Sequence, residues 1–386
     1  MWFTLLFSCT AALFIAMTLG TVFHLRWARR LPSLEQLALT APSNPPTELR
    51  CSVVVAARDE EARIERSVRH LLAQTGVSVE VIVVDDRSAD RTGEILRRLA
   101  AEDARVRMIR VDVLPEGWLG KCHACYVGAR AAAGDWMLFT DADCWLKSDV
   151  VARALRVAHG DGADHVVLTP GIGPATPGAR AWHIAFLMSL ANWFSGVNRD
   201  RPRAYLGMGA FNLVRATAYR ECGGYEALRL TVLDDVRLGL LLRRAGKRTR
   251  GFIGGSDTEC HWGTTVPDMI KVMEKNYFAA IDYRPVPAIA LGIGGPLLWL
   301  VAGVGPFTGT VVGTITGIAL LSLMLPAGIV ARRLGWPLRC AALTPFIYPA
   351  LFYAVLNSAL KTLRQGGIRW RDTFYSLDAL RSGSVR

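Results

Sequence analysis

Three aspartate pairs place carboxylates where the strands of an open sheet would end. They are Asp85 with Asp86 after VEVIVV, Asp141 with Asp143 after WMLFT, and Asp234 with Asp235 further along the chain. In open α/β sheets, ligands bind beyond the carboxyl ends of the strands. Two such pairs can hold a divalent cation and a ligand that it grips, such as a nucleotide diphosphate. A third pair can supply a base, so the pattern indicates transfer from a nucleotide-activated donor.

Strand and helix signals alternate in the region that carries the first two pairs. Strands are predicted at 51–57, 79–86, 106–111, 135–141 and 163–169, and helices at 60–74, 91–101 and from the 115–121 loop to about 133. The first strand, CSVVVAA, is a continuous β-branched run, as in a parallel strand that is buried on both faces. The alternation predicts an α/β fold with right-handed crossovers and a mostly parallel sheet.

Long apolar runs flank this region, and they raise the hydrophobic content of the 386-residue chain to 51% and its mean hydropathy to +0.26. The runs cover residues 2–24, 286–330 and 338–360. Because about 20 apolar residues span a bilayer as a helix, we predict membrane segments at both ends. The predicted divisions are a transmembrane anchor at 1–25, a linker at 26–49, an α/β domain at 50–285, a C-terminal transmembrane region at 286–362 and a basic tail at 363–386.

The first apolar run is typical of an uncleaved anchor rather than a signal peptide. It is longer than a signal core, no basic segment precedes it, and the basic segment RWARR follows it. Because basic residues stay cytoplasmic, we expect a multi-pass protein of the inner (cytoplasmic) membrane with its α/β domain in the cytosol. The net charge of +12 suits an anionic leaflet and an anionic donor. No nucleic-acid partner is expected, since the chain lacks a lysine- and arginine-rich tail and an aromatic ladder.

The number of C-terminal spans stays open at this point. Three spans would put the basic tail outside, against the preference of basic residues for the cytoplasm. Two spans, with an interfacial or re-entrant segment at 286–304, would keep the tail in the cytosol.

Two further features each allow more than one interpretation. The eight cysteines are expected to be reduced in a cytosolic domain. Cys122 and Cys125 form a C-x-x-C without a second pair to complete a zinc site, which favours buried structural thiols over metal or redox chemistry. Residues 181–197 are apolar and contain two tryptophans. They predict a core helix or an interfacial helix on the membrane, and the tryptophans favour the second.

An ordered series of segments resembles the inverting glycosyltransferases of family 2. The segments are VVVAARDEEARIERSVRHLLAQ, VEVIVVDDRSADRTGEIL, LPEGWLGK and GDWMLFTDADCWL. More narrowly, the chain is similar to membrane-anchored members known as hopanoid-associated or carotenoid glycosyltransferases, and more distantly to ceramide glucosyltransferase. The resemblance covers about residues 50–285 and the C-terminal membrane segments. It implies a GT-A fold, which is Rossmann-like, with a nucleotide-sugar donor and a lipid acceptor.

Asp141 and Asp143 form the D-x-D motif of this family. Two carboxylates that flank one residue can share Mg²⁺ or Mn²⁺, which accepts hard oxygen ligands together with substrate phosphates. Such a metal offsets the diphosphate charge as the bond to the sugar breaks. The resemblance implies that Asp143 is the metal ligand and that Asp141 contacts the ribose or the metal.

Other residues are implied in binding the nucleotide-sugar. By resemblance, Asp85 or Asp86 holds the base or ribose, with Asp86 favoured. Asp59 and Glu60 stand where the family usually has Asn-Glu, so the aspartate departs from the pattern. Lys121 stands at the start of a predicted helix, where a lysine and free backbone N–H groups can bind an anion. The shared Gly-Lys at this place implies nucleotide or diphosphate contact.

The third acidic pair is implied in catalysis. Family members carry an acidic pair here whose second residue is the base, so the resemblance assigns that role to Asp235, with Asp234 orienting it or contacting the acceptor. Inverting transfer needs one base to take the acceptor proton during in-line attack. Before this pair, Gly207 and Gly209 predict either a close approach of the backbone to the sugar or a plain turn.

A motif of processive polysaccharide synthases is absent after the acidic pair. Those enzymes carry Q-x-x-R-W there, whereas this chain has Lys275-Asn276. A similar run from Gln365 to Trp370 is one residue longer in spacing and follows the last membrane segment. The sequence therefore disfavours a chain-extending synthase.

Together these features predict inverting transfer of a sugar from a nucleotide-sugar, with UDP favoured, to a lipid hydroxyl at the inner leaflet. The enzymatic alternatives are a synthase of short polysaccharides and a polyprenyl-phosphate glycosyltransferase. The alternative from another class is an inactive GT-A membrane scaffold or glycan-binding module. Six carboxylates at strand ends argue against a scaffold. The sugar, the acceptor lipid, the choice between Mg²⁺ and Mn²⁺ and the oligomeric state stay open.

Overall fold

The computed structural model describes residues 2–30, 34 and 50–385. Most of the predicted linker, residues 31–33 and 35–49, lies outside the described residues, as does the last residue of the predicted tail. The chain divides into two compact units. The first, here called the membrane unit, comprises Met1–Arg30, Pro174–Ser195 and Trp262–Arg381. The second, here called the sheet unit, comprises Leu31–Gly173, Gly196–His261 and Ser382–Arg386.

The strands form an eight-stranded sheet in the sheet unit and a two-stranded hairpin in the membrane unit. In chain order they are β1 (Arg50–Ala57), β2 (Ser78–Asp86), β3 (Val106–Val111), β4 (Trp136–Asp141), β5 (Cys144–Leu146), β6 (His165–Ile172), β7 (Asn212–Arg215), β8 (Thr249–Cys260), β9 (Gly367–Trp370) and β10 (Thr373–Ser376). The large sheet has the order β3-β2-β1-β4-β7-β6-β8-β5.

Parallel pairing dominates one half of this sheet. Strands β3, β2, β1 and β4 are parallel neighbours, and β6 is parallel to β8. Strand β7 is antiparallel to both β4 and β6, and β5 is antiparallel to β8. Val53, Val54 and Val55 of β1 are all completely buried, because both faces of this central strand are covered. The predicted α/β fold with a mostly parallel sheet is confirmed.

The helices alternate with the strands in the sheet unit and dominate the membrane unit. In chain order they are α1 (Trp2–Arg30), α2 (Ile64–Leu72), α3 (Thr92–Glu102), α4 (Gly120–Ala131), α5 (Val150–Asp161), α6 (Pro177–Val197), α7 (Ala216–Glu221), α8 (Asp234–Arg244), α9 (Val266–Met273), α10 (Asn276–Ala280), α11 (Pro285–Ile289), α12 (Gly295–Val304), α13 (Val311–Leu321), α14 (Met324–Arg333), α15 (Leu338–Gln365) and α16 (Leu377–Gly383). A π-helical turn joins α11 to α12.

Within residues 2–30 and 50–385, four helical stretches are long and apolar enough to cross a membrane. They are Trp2–Arg26, Pro285–Thr308, Val311–Arg333 and Leu338–Gln365. The predicted apolar helices at both ends of the chain are therefore present. Three of the four stretches lie in the C-terminal region, whose number of crossings the sequence left open.

Helix α6 contains the apolar segment that the sequence favoured as an interfacial helix. Most of its side chains are buried, with Trp182 only 1% exposed and Trp193 exposed at 38%. The ring of His183 packs against Trp262 and Trp336 within the membrane unit. This burial supports the other interpretation, a core helix, because protein groups rather than a membrane surface cover most of its faces.

Six of the eight cysteines are free thiols, and two form a disulfide. Cys122 and Cys125 on α4 are buried thiols, and burial raises the pKa of both, which keeps them protonated and unreactive. This confirms their interpretation as structural residues. Cys144 and Cys260 instead form a disulfide between the antiparallel neighbours β5 and β8, with Cα atoms 4.4 Å apart. The expectation that all eight cysteines are reduced is wrong for this pair, because the sheet brings together residues far apart in sequence.

A buried histidine lies among the central strands of the sheet. His165 on β6 is completely buried. Its Nε2 donates to Asn212 Oδ1 at 2.8 Å, and its Nδ1 accepts from Thr249 Oγ1 at 3.1 Å. Burial lowers the pKa of His165 to about 4, although the bond to Asn212 and the charge of Asp164 act in the opposite direction. The folded protein therefore keeps a neutral imidazole here.

We expect the protein to lose stability as the pH falls from 6.5 to about 4. In this window the unfolded chain binds a proton on His165 that the folded chain excludes, which favours unfolding by at most about 1.4 kcal/mol per pH unit. Above the window both states are neutral, and below it both are protonated. Thermal unfolding in detergent across this range measures the slope. The slope should be smaller in His165→Gln, and equal slopes in both proteins would contradict the neutral buried imidazole.

Candidate active site

The carboxyl ends of parallel strands bring the predicted acidic residues to one edge of the sheet. In the register of β1 with its neighbours, Ala57 lies opposite Asp85 on β2, and Ala56 lies opposite Asp141 on β4. Helix α8 begins with the third acidic pair, Asp234 and Asp235. The expectation that the third pair lies at a strand end is therefore wrong, because this pair opens a helix.

Lys121 links two of these pairs directly. Its Nζ lies 2.7 Å from Asp141 Oδ1 and 3.6 Å from Asp234 Oδ2. Burial alone would lower the pKa of Lys121, but the charges of Asp141, Asp234 and Asp235 raise it well above its ordinary value. Tyr225 Oη donates to Asp234 Oδ2 at 3.0 Å, so the buried carboxylate of Asp234 has two partners. A fixed cation therefore holds the D-x-D motif beside the acidic pair.

Backbone amides hold the carboxylate of Asp235. Its Oδ2 accepts from the backbone N–H of Gly209 at 2.6 Å, and its Oδ1 accepts from that of Val236 at 2.8 Å. The carbonyl of Gly209 in turn accepts from the N–H of Asp141 at 3.0 Å. A side chain at Gly209 would collide with the Asp141 carboxylate, and one at Gly207 would collide with the carbonyl of Asp235. Both glycines therefore permit close contact between the two acidic pairs.

The negative charge of Asp143 is destabilised by burial and by neighbouring carboxylates. Burial raises the pKa of its carboxyl to about 7, and the negative charges of Asp141 and Glu60 add to the shift. A bound divalent cation would remove both costs, since it coordinates carboxylate oxygens and offsets their repulsion. The donor chemistry of Asp141 and Asp143 therefore fits Mg²⁺ or Mn²⁺.

Both members of the first acidic pair are buried, and each forms an ion pair with an arginine. Asp85 is completely buried, accepts from the N–H of Ser88 at 3.1 Å and forms an ion pair with Arg110. Asp86 pairs with its neighbour Arg87, with Nε 2.8 Å from Oδ1. A side chain at Gly120 would collide with the Asp86 carboxylate, so Asp86 lies against the start of α4, next to Lys121.

The loop after β1 is braced against the loop after β2. Asp59 has a positive φ of 54°, and its Oδ1 accepts from the N–H of Ala89 at 2.8 Å. The N–H of Asp59 donates to Ser88 Oγ at 3.0 Å, and that of Glu60 donates to Thr92 Oγ1 at 2.8 Å. Asn and Asp are the residues that tolerate this backbone conformation best after glycine. The departure from the family's Asn therefore preserves the loop.

Two polar contacts of the site had no clear signal in the sequence. Tyr225 reaches Asp234 through a turn in which Gly223 and Gly224 have φ values of 84° and 49°. Arg110 reaches Asp85 across the β2–β3 pairing. A Gly-Gly pair predicts a turn but not where the following side chain lies, and an arginine on an edge strand is normally solvated.

Known proteins share both the sequence and the fold. Residues 52–223 match the glycosyl transferase family 2 model. A 4,4'-diaponeurosporenoate glycosyltransferase of Staphylococcus aureus is 28% identical over 192 residues, which cover 49% of this chain and 50% of that protein. The mannosyltransferase PcManGT of Pyrobaculum calidifontis, solved with GDP-Man and Mn²⁺, is 17% identical and superposes with a TM-score of 0.53 over 93% of this chain and 99% of its own. This likeness shows the fold.

A longer match assigns the family. The 4,4'-diaponeurosporenoate glycosyltransferase of Staphylococcus haemolyticus is 38% identical over 269 residues, which cover 67% of this chain and 68% of that protein. Together with the family 2 match and the shared fold, this similarity shows that the chain is a glycosyltransferase that belongs to family 2.

Proposed function

We propose that this glycosyltransferase moves a sugar, with inversion, from a nucleotide-sugar to the hydroxyl of a membrane lipid. The observation that carries the proposal is the contact of Lys121 with both Asp141 and Asp234. This contact supports a single site that contains the D-x-D motif and the acidic pair whose second member, Asp235, is the candidate base. A UDP-sugar is the favoured donor. The carotenoid named in two similar proteins and the four apolar helical stretches support an apolar acceptor.

The donor side of the site would use a metal and a nucleotide cradle. A divalent cation held by Asp143 and Asp141 would offset the charge of the departing diphosphate. Asp86 at the start of α4 would contact the nucleotide, together with the braced loop that carries Asp59 and Glu60. Asp85 would support this cradle from its buried ion pair.

The acceptor side would use the third acidic pair. Asp235 would take the proton of the acceptor hydroxyl as the oxygen attacks the sugar carbon. The N–H groups of Gly209 and Val236 fix its carboxylate, so the base would meet the acceptor in one orientation. Asp234 is tied to Tyr225 and Lys121 and would orient its neighbour without taking the proton.

A carboxylate acceptor is a second candidate, favoured by one observation. The name of the relative that is 38% identical contains diaponeurosporenoate, which is a carboxylate. A carboxylate is already ionised at neutral pH and needs no base to attack. The loss of turnover when Asp235 is replaced therefore distinguishes a hydroxyl acceptor, which needs a base, from a carboxylate acceptor, which does not.

Ser384 and Val385, close to the end of the chain, belong to the sheet unit. Within the sheet unit, Ser384 Oγ donates to the carbonyl of Leu230 at 3.2 Å, and the N–H of Val385 lies 3.4 Å from Thr231 Oγ1. The chain leaves this unit after His261 and returns at residue 382. An even number of complete crossings must lie between these points. Because three candidate spans lie there, the contacts support two spans and one re-entrant or interfacial segment, with the tail in the cytosol.

We expect Asp143→Ala to abolish metal-dependent binding of UDP, because the cation loses its principal carboxylate. Titration calorimetry with UDP, with and without Mg²⁺ or Mn²⁺, measures this, and thermal unfolding checks that the variant is folded. The matched control is Asp135→Ala, which removes an exposed carboxylate from the opposite end of β4. Unchanged metal dependence in Asp143→Ala would remove the D-x-D assignment.

The same variants test the reaction in cells. A strain without the gene should lose a hexose-bearing lipid, detected by mass in lipid extracts. The wild-type and Asp135→Ala genes should restore this lipid, and Asp143→Ala should not. An unchanged lipid profile in the deletion strain would contradict transfer to a lipid and favour the scaffold interpretation.

We expect Asp235→Asn to lower turnover by roughly 10²–10⁴-fold, the usual contribution of a positioned base. Donor affinity should persist, because Asp86, Lys121 and Asp143 are unchanged. Asp234→Asn should cost less, since this residue takes no proton. Single-turnover transfer to the native lipid, measured beside donor binding on folded variants, compares them. Near-normal transfer by Asp235→Asn would favour the carboxylate acceptor. A larger loss of turnover from Asp234→Asn than from Asp235→Asn would assign the base to Asp234 instead.

We expect Ala89→Cys and Ser382→Cys, each in a cysteine-free chain, to be protected together from an impermeant thiol reagent in intact cells. Both positions lie in the sheet unit, which the arrangement above puts in the cytosol. Both should react after lysis, which serves as the control. Labelling of Ser382→Cys alone before lysis would mean an odd number of crossings. Labelling of both would show the opposite orientation, which is the outcome that the disulfide between Cys144 and Cys260 favours.

A further inference from the structure

The geometry points to Asn212 as a positioning residue that fixes the main chain of Asp235. Asn212 opens β7 and is completely buried between its neighbours on β4 and β6. Its Nδ2 donates to the carbonyl of Asp235 at 3.2 Å. Its Oδ1 accepts from His165 Nε2 at 2.8 Å. The inference rests on the proposed role of Asp235 as the base.

A buried amide side chain on a central strand must form hydrogen bonds to offset its loss of contact with water. A polar group that is buried without hydrogen bonds costs roughly 1–3 kcal/mol, and an apolar residue would pack there without that cost. Asn212 avoids the cost only because both ends of its amide are bonded. One of those bonds reaches the main chain of the proposed base, so the amide connects the sheet to the start of α8.

The orientation of the Asn212 amide is set by its two hydrogen-bond partners, the carbonyl of Asp235 and the ring of His165. The carbonyl of Asp235 can only accept, so the amide NH₂ must face it and Oδ1 must face His165. His165 therefore carries its proton on Nε2, and its Nδ1 accepts from Thr249 Oγ1 at 3.1 Å. Thr249, His165 and Asn212 come from β8, β6 and β7, so three strands fix one amide direction.

Asp235 is consequently held at two points by one segment of chain. Residues 206–212 supply the N–H of Gly209 to its carboxylate and the side chain of Asn212 to its carbonyl. The same segment lies directly on the first two turns of α8, because a side chain at Gly207 would collide with the carbonyl of Asp235 and one at Gly239 with the carbonyl of Leu206. Two points fix both the position and the direction of the carboxylate. A misplacement of about 1 Å can cost 10²-fold in rate.

The test replaces the amide with groups of similar size. Asn212→Asp keeps an acceptor for His165 but replaces the donor to Asp235 with a carboxylate oxygen, which adds a buried charge. Asn212→Leu removes both bonds without adding a charge. Each should lower turnover by about 10–100-fold and leave donor affinity within about twofold, because the D-x-D motif and Lys121 are unchanged. If Asn212→Leu fails to fold by thermal unfolding, Asn212→Asp carries the test.

The matched control is a buried polar residue of the same sheet that does not reach the base. Thr258 on β8 is completely buried, and its Oγ1 donates to the carbonyl of Thr169 at 3.4 Å. Thr258→Val should keep wild-type turnover. A loss in this control equal to that in Asn212→Asp would show a general effect of buried polar groups and would overturn the inference.

A double-mutant cycle separates positioning from a structural role. If Asn212 acts through the base, Asn212→Asp should cause no further loss of turnover in the Asp235→Asn background. An additive loss, or wild-type turnover in Asn212→Asp beside a large loss in Asp235→Asn, would overturn the inference and leave the proposed function intact. Near-normal turnover in Asp235→Asn would instead remove the base assignment, and the inference would fall with it.

Discussion

The ion contacts of Lys121 are the interaction on which the candidate site depends. Asp141 ends β4 and Asp234 begins α8, so folding brings together two carboxylates from distant parts of the chain. Their mutual repulsion and their desolvation would oppose that approach without a cation between them. Removing one partner of a fully buried ion pair typically costs 3–5 kcal/mol. Because the Lys121 side chain is 24% exposed, the cost of removing it should be lower than this range. The lysine thus stabilises the arrangement of charges as well as any anion that binds later.

Close backbone packing gives this charge cluster its geometry. Segment 206–212 lies between the end of β4 and the first turn of α8, with glycines where a Cβ would collide. Because the segment bonds to Asp141 on one side and to Asp235 on the other, the two acidic residues cannot move independently. Glycine serves here to bring protein groups together, and the same close packing would restrict where a sugar could lie.

The sequence predicted the strands whose local residue pattern matches their place in the folded sheet. The β-branched runs gave β1, β2 and β3 at nearly their observed bounds, and the aspartates after them lie at the expected edge. Strands β5, β7 and β8 of the large sheet were missed. The first two have only three and four residues, and the third contains three glycines. The disulfide between Cys144 and Cys260 and the bond from Asn212 to Asp235 were missed for a different reason, since both depend on pairing between strands far apart in the chain.

The environment, rather than the residue type, separates the roles of the six aspartates. Asp85, Asp86 and Asp234 are each buried beside a cation. Of these, Asp86 lies against the start of α4, where a nucleotide could reach it. Asp143 is half-buried beside the negative charges of Asp141 and Glu60, so a bound metal would relieve the most repulsion there. Under the proposed function, a metal that shares Asp141 would weaken the hold of this carboxylate on Lys121. The ammonium could then turn to a diphosphate, so binding of the metal and binding of the donor would favour each other.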